Sequence, residues 1–186
     1  MLPSIPESSI VRAASEGMDA FVDLFVQATL DTIGGELNAE TMPSLTAEQV
    51  TLLAYHTFRE EVMDGGFVQL IHNGYGPFIF LNPFAKAMRL WGQELSASET
   101  GDCPPSEPDV LHDFQKLIYR GRKLFERYGE ELTRPCSDEE FMALFEQYPD
   151  FDDLDDTFIE NEEDITAAIA RYIDNHINLF ANILIL

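Results

Sequence analysis

Apolar positions along this chain return every three or four residues, and no run alternates as a half-buried strand would. From Met18 to Ile33 the recurring set is Phe21, Leu24, Phe25, Ala28 and Ile33, closed by Gly34-Gly35. Thr46 and Gln49 form a capping-box signature that satisfies free amides at a helix start, ahead of a stripe of Val50, Leu53, Ala54, Phe58 and Val62. Asn82-Pro83 puts an N-cap residue before a proline at the first helical position, followed by Phe84, Ala87, Met88 and Trp91 to about Leu95. The clearest helix runs from Asp109 to Tyr128 on Leu111, Phe114, Leu117, Ile118, Leu124, Phe125 and Tyr128. A second capping box, Ser137-Asp138-Glu139-Glu140, opens a helix to Tyr148. The last helix is expected to start near Glu162 and to bury Ile165, Ile169, Tyr172, Ile173, Ile177 and Phe180. Phe78-Ile79-Phe80 is apolar but lies between Gly76-Pro77 and Asn82-Pro83, which argues against a strand. These patterns predict an all-α single compact domain of about six or seven helices over residues 15–186, after an N-terminal arm at 1–14 that is loose and then makes a short helical turn. Residues 96–108 form the longest breaker-rich loop.

The most informative stretch runs from Glu60 to Gly74. It reads as the end of one helix, a glycine break, and a shorter helix stopped by Asn73-Gly74. Gly65 suits the left-handed position after a helix, and Gly66 lets Phe67 swing back toward the core. Glu61 stands beside the buried stripe and needs a partner; Gln69, Asn73 or the amides near Gly65-Gly66 can supply one. The expected product is a fixed elbow built from Glu61, Gly65, Gly66, Phe67, Gln69 and Asn73. A phosphate loop is a poor fit, since no Lys or Arg lies between Arg59 and Lys86.

Glu61-Val62, Gly65-Gly66-Phe67, Gln69 and Asn73, together with the later Tyr148-Pro149-Asp150-Phe151-Asp152-Asp153-Leu154-Asp155-Asp156-Thr157-Phe158, resemble the hallmarks of a bacterial family of small acidic all-α proteins. That family includes a DNA-mimic protein. The resemblance covers roughly Leu45 to Asn178. It implies a helical scaffold and, as partner, a transcriptional regulator or nucleoid protein, without specifying which.

Charge sharpens this picture. Lys and Arg number 11 against 34 Asp and Glu, a net charge of −23, in a chain that is 45% hydrophobic and so able to fold. Such a surface repels nucleic acid and anionic membranes and attracts the basic faces of other proteins. Between Pro135 and Ala170 there are acids but no Lys or Arg. The partner-binding surface is expected on Asp150, Asp152, Asp153, Asp155, Asp156, Glu160, Glu162, Glu163 and Asp164. An EF-hand is excluded in either register, because the sixth position is Asp155 or Phe158 where glycine is needed. Five basic residues, Lys116, Arg120, Arg122, Lys123 and Arg127, share the outer side of the clearest helix, where the protein's own carboxylates are the expected partners.

Other chemistry has little footing. Cys103 and Cys136 lack CxxC spacing and fit a reducing cytoplasm. The N-terminus has no signal-peptide pattern, and the apolar tail from Leu179 to Leu186 is too short to span a bilayer. That tail is expected to pack into the core or cover a subunit contact. Asp109 and His112 have a D-x-x-H spacing, but a di-iron bundle needs two Glu-x-x-His motifs. No cofactor is expected. The leading expectation is a non-enzymatic DNA mimic that binds a basic DNA-binding protein and not nucleic acid itself. Two alternatives stand beside it: a small enzyme using Glu61, His72 and His56, and a homodimeric scaffold without mimicry.

Overall fold

The structure, a computed structural model, describes residues 1–98 and 109–185, so most of the expected loop at 96–108, with Cys103, lies outside the described residues. It is all-α in character, 79% helical. In chain order come β1 (Ser4–Pro6), α1 (Glu7–Glu16), α2 (Met18–Thr32), α3 (Ala47–His72), α4 (Gly76–Phe80), α5 (Phe84–Ser98), α6 (Val110–Leu132), α7 (Asp138–Gln147), α8 (Asp152–Asn175), α9 (Ile177–Phe180) and β2 (Asn182–Leu184). Nine α-helices among the described residues exceed the expected six or seven. The extra ones give a weak periodic signal. Helix α1 buries only Ile10 and Ala13, and α4 and α9 span five and four residues.

Two corrections concern the ends of elements. Helix α8 begins at Asp152, ten positions before the expected start at Glu162. Phe151, Leu154 and Phe158 are buried at helical spacing ahead of Ile165 and Ile169. Glu162 occupies the position between Phe158 and Ile165 and interrupts the apolar stripe. The start of the segment at 1–14 is also not loose: Ile5 pairs with Ile183 in a parallel two-stranded ribbon, Asn182 donates its N–H to the Pro3 carbonyl at 2.8 Å, and the expected helical turn is α1. Partners so far apart in sequence leave no periodic trace.

The chain divides into two units. The first comprises Met1–Leu53 and Asp164–Leu186. In it α1 packs on α2, and Phe25 lies between Phe21 and Phe180 with ring centroids at 5.2 and 6.4 Å. Gln49 and Thr46 close the expected capping box at 2.9 and 3.2 Å. Of the apolar tail, Phe180 and Ala181 are buried, while Ile183, Leu184 and Ile185 are exposed.

The second unit, Ala54–Glu163, carries the elbow and most of the acidic stretch. Its hub is Phe58, fully buried, with the rings of Phe67, Phe84, Phe114 and Phe158 at 4.9–6.4 Å. Edge-to-face rings at such distances add to the burial of their area. Helix α6 packs against α4 and α5, and Gly121 on α6 leaves room for aromatic rings. A Cβ there would come within 2.9 Å of Phe67 Cδ1 and 3.0 Å of Phe80 Cε1.

Candidate functional site: the acidic face of α8 and the elbow

Helix α3 breaks at Gly65-Gly66. Gly65 has φ −153°, so it does not take the left-handed conformation expected of it. Gly66 does have positive φ, at 69° with ψ −173°, a region open essentially to glycine alone. After this reversal Phe67 enters the core, stacked with Phe80 and Phe151 at 6.3 and 6.5 Å. Its N–H, one of the amides freed by the break, donates to Asp155 Oδ1 at 2.8 Å.

On the other side of the elbow, Glu61 Oε2 accepts from Asn73 Nδ2 at 2.8 Å and Gln69 Nε2 at 3.2 Å. Gln69 Nε2 also donates to Asp64 at 2.7 Å. His72 donates from Nδ1 to the Leu132 carbonyl at 2.7 Å and lies against the Phe141 ring. His56 is half-buried on α3 five residues before Glu61, about 140° around the helix from it. The trio proposed for the enzyme alternative is therefore not gathered: Glu61 and His72 are engaged with different partners, and His56 points elsewhere on the helix. Among the described residues no group of three or more His, Cys, Asp or Glu could hold a metal ion. Asp109, half of the D-x-x-H pattern, is the N-cap of α6 and accepts from the His112 backbone N–H at 3.0 Å.

The nine acids assigned to a partner surface divide into four sets. Asp152, Asp156, Glu160 and Glu163 are exposed on α8 at intervals of four, four and three residues, one stripe on one side of the helix. None of the four has an ion pair among the described residues. Asp164, also exposed, belongs to the first unit. Asp150 and Asp153 are exposed but partnered: Arg120 pairs with Asp153, and Arg127 Nη1 lies 3.8 Å from Asp150 Oδ2. The interval from Pro135 to Ala170 has no Lys or Arg in sequence, yet α6 brings two arginines to it.

Asp155 and Glu162 do not belong to an open surface. Glu162 is 7% exposed and paired with Arg59, a contact that periodicity did not reveal. A charged residue inside an apolar stripe was the available signal. Asp155 is half-buried, and its carboxyl is pushed up from 3.8 to about 6. Burial is the main cause; Asp152 and Asp156 add to it, and the Phe67 N–H opposes it. Because the folded value is raised, protonation stabilises the fold fully below about 3.8, and that contribution disappears as pH rises through about 6. At neutral pH the charge is held at a cost. Asp155→Asn keeps an acceptor without the charge, so it is expected to gain on the order of 1 kcal/mol at pH 7, allowing for solvent at this half-buried site. Asp155→Ala, which leaves the Phe67 amide uncapped, should lose about 1 kcal/mol. Urea midpoints across pH 4 to 8 check this; a gain for Asn that did not grow as pH rises through about 6 would refute it.

Asp155 thus joins the two motifs on which the resemblance rests: the aspartate of the acidic stretch caps the amide that follows Gly65-Gly66. The sequence model of the family described as DMP19-like protein matches residues 43–176. The chain belongs to the DMP19-like family. It is also similar to the DNA mimic protein DMP19 of Neisseria meningitidis serogroup B (strain ATCC BAA-335 / MC58). The two are 26% identical over 181 residues, 97% of this chain and 96% of that protein. In this family member the elbow is supported from both sides, by Asp155 and by Glu61 with its two amides. No helix among the described residues is long and apolar enough to cross a membrane.

Proposed function

We propose that this chain is a DNA mimic: a non-enzymatic cytoplasmic protein that occupies the DNA-binding face of a basic partner, such as a transcriptional regulator or nucleoid protein. The observation that carries the reading is the exposed stripe of Asp152, Asp156, Glu160 and Glu163, without ion pairs among the described residues. Membership of the DMP19-like family and similarity to a protein named as a DNA mimic support it. A helix presents one charge per turn along such a stripe, about every 6 Å. One DNA strand presents a phosphate about every 3.4 Å along its axis. The helical row is thus about half as dense, and a partner groove would read several acids together instead of one strong pair. Rigid placement matters here, because an ordered helix need not lose the entropy of a disordered acidic tail on binding.

The test is capture of a basic DNA-binding protein by immobilised full-length chain. Duplex DNA is expected to displace the captured protein, added salt to weaken the complex, and the chain alone to show no affinity for the duplex. Capture that is indifferent to duplex DNA would refute mimicry.

A further inference from the structure

Two arginines of α6 already occupy part of the acidic face. Arg120 pairs with Asp153, and Arg127 approaches Asp150, seven residues and about two turns further along one side of the helix. Asp150 also accepts from the Tyr128 hydroxyl at 2.8 Å, while the Arg127 guanidinium lies 4.8 Å from the centre of the Tyr128 ring. This hydrogen bond, more than burial, raises the Tyr128 hydroxyl above its usual value. A carboxylate beside an aromatic face is the environment that recognises a guanidinium group, and here one is seated in it. Both pairs are open to water, with side chains 50% to 77% exposed, so they are weak and exchangeable. The other paired basic side chains of the helix bond within α6: Lys116 to Asp113, and Arg122 to Glu126.

We propose that Arg120 and Arg127 are internal placeholders for a partner's arginines, masking Asp150 and Asp153 until a guanidinium-bearing ligand displaces them. The inference rests on the mimic reading and assigns regulation to the same face. Masking lowers affinity for any loosely basic protein. A partner that presents several arginines in register overcomes this local competition and still gains the open stripe on α8.

The experiment measures binding of a fluorescent nona-arginine peptide to the full-length chain by anisotropy. R120Q/R127Q is expected to bind about three- to tenfold more tightly than the parent, since two exposed ion pairs no longer compete. K116Q/R122Q makes the same change in net charge but frees Asp113 and Glu126, which sit on α6 itself and not in the acidic stretch after Pro135, so it should gain no more than about twofold. R120K/R127K keeps the net charge and loses the planar fork, and should show part of the gain. Equal tightening by the two glutamine variants, or no change in R120K/R127K, would overturn the placeholder role. Those outcomes leave the mimic reading intact, because that reading depends on capture and competition by duplex DNA.

Discussion

Replacing Asp152 and Asp156 by Asn, and Glu160 and Glu163 by Gln, is expected to weaken capture of a basic DNA-binding protein on the order of 100-fold. Each exposed carboxylate contributes at most about 1 kcal/mol when it meets a partner's cation, and a tenfold change in affinity corresponds to about 1.4 kcal/mol. Removing all four carboxylates at once gives a change of that order. Stability should hold, because like charges one turn apart on a helix repel by a few tenths of a kcal/mol each. The melting temperature is therefore expected to stay level or rise slightly. The comparison needs a variant with the same net charge altered elsewhere. Asp23, Asp31, Glu36 and Glu40 are exposed acids of the other unit and suit this purpose. Their neutralisation should reduce capture only modestly, through the long-range field. Equal loss in the two variants would show that the partner senses net charge and not the α8 stripe.

The substitutions leave Asp155 and Glu162 alone for a physical reason. Both carboxylates are part of the scaffold, one as the cap of the Phe67 amide and the other as the partner of Arg59. Changing them would mix a change in stability with loss of binding.

Gly66→Val is expected to destabilise the protein by about 3 kcal/mol or more. Two costs combine. A residue with a side chain at φ 69°, ψ −173° is strained by about 1–3 kcal/mol. A Cβ at Gly66 would also come within 2.7 Å of Asp155 Cγ, forcing the carboxylate off the Phe67 amide at roughly the cost of a lost cap. Gly65→Ala should do less harm, since its backbone is not left-handed. Its Cβ would come within 2.8 Å of Gln69 Cδ, so the loss should be about 1 kcal/mol and should shrink in a Gln69→Ala background, which removes that atom. Urea unfolding of the three variants distinguishes these causes. Equal losses at the two glycines would contradict the geometry of the elbow.

Much of this architecture is written locally. The capping boxes at Thr46 and Ser137, the Asn82-Pro83 start and the heptad-like stripe of α6 each depend on residues within a few positions of one another. Periodicity and capping chemistry therefore located most of the long helices, and the Gly65-Gly66 break was visible because glycine pairs rarely interrupt a helical stripe without a turn. The charge of −23 and its concentration after Pro135 were equally legible. What stayed open depends on residues far apart in the chain. Which glycine takes positive φ was settled by the path Phe67 must follow into a core of Phe58, Phe80 and Phe151. Which acids are left without a partner was settled by tertiary contacts: Arg59 withdraws Glu162, the Phe67 amide withdraws Asp155, and Arg120 and Arg127 pair with Asp153 and Asp150 at the surface. A run of aspartates and glutamates specifies the amount of charge. Only packing, by placing cations and free amides 88 to 103 positions away beside two of them, decides which remain available to a partner.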